Sequence, residues 1–382
     1  MEDLQEIRKQ IPITRNKVYL AHASRGPLPK PVSDAVRKYV YNCMHSGATL
    51  IDAGVANSGG KPLFAGLVGA KTEQVAFIEN TSVGLNIAAN MLPSSRGSNV
   101  VTGDNEYSSV VYPYLRKGSR VKVRSVKNIN GMIFPDDVEK AVDDKTVAVV
   151  VSHVHWLNGF RHDLRALSDI AHAHGAHLIV DAIQSAGAMQ IDVKRHGVDI
   201  LASACYKWLL SPPGAGYLYV SEELIHKCEP LFVGWRSNID LKERELWSLK
   251  FPKNASRFEI GSPSYASFVG AAEALKLLLK VGINTIERRI LRLTGSLIEG
   301  LKGLDLPVQT PEEPERRSGI VNFRIDKAKS VVEKLGKKRI ICATSADWTK
   351  CSPQFYNTVR VSPHFYNTEE EIDRFVREIK KC

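Results

Sequence analysis

Residues 176–220 read AHLIVDAIQSAGAMQIDVKRHGVDILASACYKWLLSPPGAGYLYV. An apolar run, Leu178–Val180, stops at Asp181, and Gln184 and Ser185 follow at once. A second run, Ile200–Ala202, leads to Tyr206-Lys207-Trp208. The loop Ser211-Pro212-Pro213-Gly214-Ala215-Gly216 opens a third run, Tyr217–Val220. Short unbroken apolar runs are the pattern of strands buried on both faces. Polar residues at their ends mark the carboxyl edge of a parallel sheet, where α/β folds place their ligands. Asp181 and Lys207 lie 26 residues apart. That spacing predicts one strand–helix–strand passage, with both side chains at one edge.

A carboxylate and a lysine placed this way admit two readings. One is a structural ion pair. The other is pyridoxal phosphate, which takes a lysine amine as Schiff-base partner and a carboxylate opposite its pyridinium nitrogen. Asp181-Ala182-Ile183-Gln184, together with Tyr206-Lys207-Trp208 and the following Pro212-Pro213-Gly214, resembles the class V aminotransferase group of fold-type I pyridoxal phosphate enzymes. The likeness runs from about Val18 to Ile379 and is nearest the isopenicillin N epimerase and cysteine desulfurase branch. It implies an α/β fold. A large domain over 17–262 would hold a mixed, mostly parallel seven-stranded sheet between helices. Residues 1–16 and 263–382 would form a smaller α+β domain. It further implies a homodimer with composite active sites and a small amino acid as substrate.

Composition agrees with a soluble globular chain. Of 382 residues, 43% are hydrophobic and 24% charged, enough for a large core. The first residues, MEDLQEIRKQ, lack the apolar stretch of a secretory signal. No apolar run approaches the length of a membrane span. Six cysteines without a Cys-x-x-Cys pair point to the reducing cytoplasm rather than a disulfide framework. The net charge of +11 raises nucleic-acid binding. Its basic residues are spread along the chain and no nucleic-acid-binding signature accompanies them, so no nucleic-acid partner is expected.

Taken in order, Lys17–Leu20 predicts a short strand, followed by Ala21-His22-Ala23-Ser24-Arg25-Gly26-Pro27. The resemblance puts this turn, with His22, in the substrate pocket, although many relatives carry Asn or Asp at the place of Ala21. Ser58-Gly59-Gly60-Lys61-Pro62 is no P-loop, because position 55 is Val and Pro62 stands where a magnesium-binding hydroxyl belongs. Gln74–Ile78 predicts a strand, and Asn80-Thr81-Ser82 opens a helix to Met91. A Thr-Ser pair there is an N-cap or a phosphate site, since helix starts present free N–H groups. The resemblance assigns Thr81 and Ser82 to the cofactor phosphate and Tyr107 to the face of its ring. It also puts Ser203 and Tyr206 among the cofactor contacts. After the strand Thr146–Ser152, several relatives have an Asn at the position of Trp156 that touches the cofactor's phenolic oxygen. His155 or Asn158 would substitute for it here, beside Gln184. The histidines at 153, 155, 162, 172, 174 and 177 do not predict a metal site, because His172 and His174 diverge on one helix.

Further on, Arg257-Phe258-Glu259-Ile260-Gly261-Ser262-Pro263 resembles a family motif whose hydroxyl, here Ser262, reaches the phosphate of the neighbouring subunit. Two helices, about Tyr265–Val281 and Ile283–Leu304, lead to a strand at Gly319–Ile325, a helix over Ala328–Leu335 and a strand near Arg339–Ala343. Arg360, in the segment Val359–Thr368, matches the family's arginine for the substrate carboxylate, a role that suits a planar guanidinium. Lys207 and Asp181 are then the catalytic pair. Transamination, epimerisation and desulfuration share these residues. A desulfurase needs a thiol in the loop before Arg360, and Cys351 is the candidate nucleophile, activated by Lys350. The desulfurase context Arg-x-Gly-x-x-Cys is absent, which favours an aminotransferase-like or isopenicillin N epimerase-like enzyme. A non-catalytic basic binding protein on the same fold is the remaining alternative.

Overall fold

The computed structural model describes residues 4–47, 52, 54–55, 59–92, 95–239, 247–344 and 353–382. Seven strands form the central sheet: β2 (Val75–Ile78), β3 (Ser98–Gly103), β4 (Val121–Val126), β5 (Thr146–Ser152), β6 (His177–Asp181), β7 (Ile200–Ala204) and β8 (Gly216–Val220). Their order is β2-β8-β7-β6-β5-β3-β4. All contacts from β7 to β4 are parallel, and β8 alone runs against its neighbours β7 and β2. The sheet is therefore mixed and mostly parallel, with seven strands, as the family resemblance implies.

Side-chain alternation explains why the strand sequences lack a polar face. Val149 and Val151 of β5, Leu178 and Val180 of β6, and Leu201 of β7 enter one core. Ala148 and Val150, Ile179, and Ile200 and Ala202 enter the other. Both faces are covered, so the runs Val147–Val151, Leu178–Val180 and Ile200–Ala202 are apolar throughout. Each fully buried Val, Leu or Ile contributes roughly 1.5–3 kcal/mol.

The passage from β6 to β7 differs from the predicted strand–helix–strand unit. Residues 182–199 cross as successive turns without a helix. Gly187 and Gly197 adopt φ of 91° and 65°, which a continuing helix does not accept. The Asp192 carboxylate also accepts the N–H groups of Lys194 and Arg195, ending any helical ladder there.

A smaller antiparallel sheet of order β11-β12-β9 holds β9 (Val321–Arg324), β11 (Ala343–Thr344) and β12 (Thr358–Val361). Helices Ile283–Lys302, Ala328–Lys337 and Glu369–Ile379 bury their apolar stripes against it. The strand predicted over Arg339–Ala343 is split at Cys342. β10 (Ile340–Ile341) pairs with β1 (Val18–Tyr19), whereas β11 pairs with β12, so the chain changes partner at that residue. These two pairings, and the bridge from Ala21 to Ser362, bring the segment after β1 beside Arg360. No helix among the described residues is long and apolar enough to cross a membrane.

Candidate active site

Register places the site. Ser152 and Asp181, the last residues of β5 and β6, stand side by side, and Asp181 pairs with Ala202, two residues before the end of β7. A cavity of 630 Å³ opens there, and its walls come from seven parts of the chain. Asp181 and Gln184 follow β6, and Tyr206 and Lys207 follow β7. Asn80, Thr81 and Ser82 start a helix, Tyr107 follows β3, Ser152 ends β5 with Trp156 beyond it, and Ser24 and Arg360 arrive from after β1 and from β12. Of the residues singled out in the sequence, Thr81, Ser82, Tyr107, Asp181, Gln184, Tyr206, Lys207 and Arg360 share this cavity.

The helix Thr81–Met91 begins at the cavity wall. Asn80 caps it by accepting the Val83 N–H at 3.0 Å. The first-turn N–H groups of Thr81 and Ser82 have no carbonyl within their own helix. The Thr81 hydroxyl accepts the Ala204 N–H at 2.9 Å, tying the helix start to the end of β7. The Ser82 and Ser109 hydroxyls meet at 2.7 Å.

Burial dominates the electrostatics. It pushes the Asp181 carboxyl up to about 6, against the Ile183 N–H, which donates at 2.9 Å, and the Lys207 charge. Burial and the Arg360 charge bring the Lys207 amine down to about 8 while Asp181 raises it. The Arg360 guanidinium is lowered to about 10, again by burial. Its Nη1 donates to the Trp156 carbonyl and its Nη2 to the Ser24 hydroxyl, each at 2.7 Å. Glu106, next to Tyr107, is raised by burial to about 7, although it accepts from Ser152 N at 2.7 Å and Ser152 Oγ at 2.6 Å.

The lysine turn is held from behind. Gly26 donates its N–H to the Tyr206 carbonyl at 2.9 Å, and a Cβ there would stand 2.1 Å from the Lys207 carbonyl oxygen. Glycine is required by this close approach. Leu210, fully buried, closes the turn with φ of 56°, a conformation that costs a non-glycine residue roughly 1–3 kcal/mol. Gln184 is anchored at both ends of its amide: Nε2 donates to the Ala23 carbonyl at 3.0 Å, and Oε1 accepts from Trp208 Nε1 at 2.8 Å. One N–H of that amide remains for a ligand.

Five other residues singled out in the sequence lie outside the cavity walls. His22 is buried, with Nδ1 against the Ser362 carbonyl at 2.8 Å and Nε2 against the Tyr366 hydroxyl, and burial lowers its pKa well below the usual range. His155 and Asn158 bond to each other at 2.8 Å. They also reach the Asn105 and Gly131 carbonyls. The Ser203 hydroxyl donates to the Ala204 carbonyl. Ser262 is exposed on its loop. Cys351 and Lys350 lie outside the described residues. Among the described residues no cysteine lines the cavity, and no cluster of His, Cys, Asp or Glu is arranged to hold a metal ion.

Sequence reasoning passed over Ser24, Glu106 and Ser152. Ser24 stands in the turn expected at the pocket, which was its only signal. Glu106 and Ser152 follow strands that end at the same sheet edge as Asp181.

The profile of the family described as Aminotransferase class-V matches residues 18–375. An uncharacterized aminotransferase, YcbU, of Bacillus subtilis is 32% identical over 94% of this chain and 95% of its own. The solved cysteine desulfurase of Thermococcus onnurineus superposes with a TM-score of 0.88 at 28% identity, covering 100% of this chain and 98% of that one. A solved C-DES variant with glycine covalently linked to its pyridoxal phosphate cofactor has the same fold, with a TM-score of 0.88 at 23% identity over 98% of each chain.

Proposed function

The chain belongs to the aminotransferase class-V family, and from that premise we propose that Lys207, Asp181 and Arg360 are the working groups of an enzyme acting at the Cα of an amino acid. It is a pyridoxal phosphate-dependent enzyme. The observation that carries the residue assignment is convergence: an acid, a lysine and an arginine from three separate parts of the chain line one cavity.

The residues present fit the cofactor. A helix start with free N–H donors suits its phosphate, a buried carboxylate its ring nitrogen, and a lysine amine with lowered pKa its aldehyde. When bound, pyridoxal phosphate supplies an electron-withdrawing ring that accepts the pair released from a Cα bond. Thr81 and Ser82 hold the phosphate. Asp181, ionised at neutral pH, keeps the ring nitrogen protonated, and the spare N–H of Gln184 binds the phenolic oxygen. Tyr107 covers the ring and Tyr206 lines the site. Arg360 binds the substrate carboxylate. Lys207 would hold the cofactor through Nζ and, as a neutral base, would accept the Cα proton on that atom.

Proton transfer at Cα by Lys207 is the chemistry of an aminotransferase, or of an isopenicillin N epimerase-like enzyme. Likeness to a solved desulfurase favours one second reading, in which Cys351 takes sulfur from cysteine. The working form is a homodimer in the cytoplasm, and its ligand is a small amino acid rather than nucleic acid. Trp235 and Ile260 are exposed apolar side chains beside Gly261 and Ser262, which supports burial against a second copy. The division into 17–262 and a smaller unit of 1–16 and 263–382 belongs to the same reading.

Borohydride reduction of the holoenzyme, followed by peptide mass spectrometry, tests the centre. The cofactor mass is expected on the peptide containing Lys207 and is lost in Lys207→Ala. Attachment at any other lysine refutes the assignment. An amino-acid panel assayed for keto acid, sulfide and inverted chirality then separates the reaction classes.

A further inference from the structure

We infer that Trp156 sets the substrate class, and that the cavity takes an α-amino acid with an uncharged side chain packed on its indole. The inference rests on the reading of Arg360 and Lys207 given above.

Three observations meet at this residue. First, Trp156 lines the same cavity as Arg360 and Lys207. Its own carbonyl accepts Arg360 Nη1 at 2.7 Å, so a carboxylate held by that guanidinium has the indole beside it. Second, the Tyr107 ring meets the indole edge to face, with centroids 5.5 Å apart and planes at 75°. That contact fixes the indole as a rigid apolar wall. Third, the charged side chains lining the cavity among the described residues are Asp181, Lys207 and Arg360. The cofactor takes the first two and the substrate carboxylate takes the third. A substrate side chain bearing its own charge would be desolvated with no countercharge among the described lining residues, which is strongly unfavourable. The rest of the described wall is uncharged, and includes Ala23, Ser24, Ser108, Ser109, Ile183 and Tyr206. Neutral side chains are accepted, and apolar or sulfur-bearing ones gain the indole contact.

Ser24 is a positioning residue in the same device. It accepts Arg360 Nη2 at 2.7 Å. Of the five guanidinium N–H donors two are then held by protein, and three remain for a carboxylate. Ser24 therefore acts on every amino acid alike, whereas Trp156 acts on the side chain.

The test is a binding titration of the holoenzyme with alanine, leucine, methionine, phenylalanine, aspartate and lysine. Binding is read by the cofactor absorbance and by tryptophan fluorescence. Leucine, methionine and phenylalanine are expected to bind at least about hundredfold more tightly than aspartate and lysine. Trp156→Ala should weaken phenylalanine and methionine about tenfold and alanine less than about threefold, with Trp156→Phe recovering most of the loss. Ser24→Ala should raise KM for all neutral amino acids in the same proportion and leave their ranking intact. Aspartate or lysine binding within about threefold of leucine overturns the inference. So does a Trp156→Ala variant that binds cofactor and weakens alanine as much as phenylalanine. If no amino acid perturbs the absorbance of a cofactor-loaded enzyme, the reading of the site fails, and the inference with it.

Discussion

Lys207 is the residue on which burial and chemistry meet. Burial and the Arg360 charge lower its amine to about 8. Attack on an aldehyde needs the neutral amine. The rate at which cofactor-free protein takes up pyridoxal phosphate should therefore rise as pH passes about 8 and level off above it. A rate that climbs steadily to pH 10 would show an ordinary lysine. The same shift has a stability consequence. The folded pKa lies below the unfolded value of 10.5, so the unfolded chain binds more protons between about 8 and 10.5. This lysine's contribution to stability rises with pH across that window, and Lys207→Ala should flatten it in denaturation curves taken at several pH values.

At the scale of elements, the helix Thr81–Met91 serves as both core and ligand site. Leu85, Ile87, Ala88 and Ala89 bury its body in one core, while its first turn faces the cavity. Asn80→Ala removes the side-chain cap on Val83 N and should cost about 1 kcal/mol, measured by denaturant titration. Cofactor affinity should fall with it, because a frayed first turn no longer aims its N–H groups at a phosphate. Unchanged affinity beside lowered stability would place the phosphate elsewhere. The Gly59–Pro62 segment shows the opposite use of a glycine-rich turn. Lys61 is buried against Glu259, whose other oxygen accepts Arg236 Nη2 at 2.6 Å. The lysine is spent on structure.

At the scale of the molecule, the proposed homodimer makes a prediction that single sites do not. If the sites are composite, Lys207→Ala and Ser262→Ala each damage a site through a different subunit. After verified subunit exchange, a mixture of the two should regain activity, because some hybrids carry one site with both residues intact. Exchange without recovery, or an active monomer, would exclude composite sites. Cys351 is tested by replacement. In an aminotransferase-like or epimerase-like enzyme, Cys351→Ala should alter turnover by less than about tenfold, which is about 1.4 kcal/mol in the barrier. Complete loss of sulfide release from a wild type that makes it, with a persulfide trapped on this thiol, would make the protein a desulfurase.

The sheet and its functional edge were legible in the sequence because they rest on local pattern. Runs such as Leu178–Val180 and Ile200–Ala202 have no polar face, which only burial on both sides permits, and each stops where a polar group begins. Asp181 and Lys207 were legible for the same reason. The turns between β6 and β7 were not, since Gly187 and Gly197 act through backbone angles that composition alone does not reveal. Nor was the fate of individual polar side chains. His22 is consumed by Ser362 and Tyr366, more than 300 residues away, and the Gln184 amide by Ala23 and Trp208. Arg360 reaches the cavity only because β12 lies beside the segment after β1. Periodicity encodes which face of a strand is buried. Which partner occupies a hydrogen-bonding group depends on atoms that become neighbours only once the chain has folded.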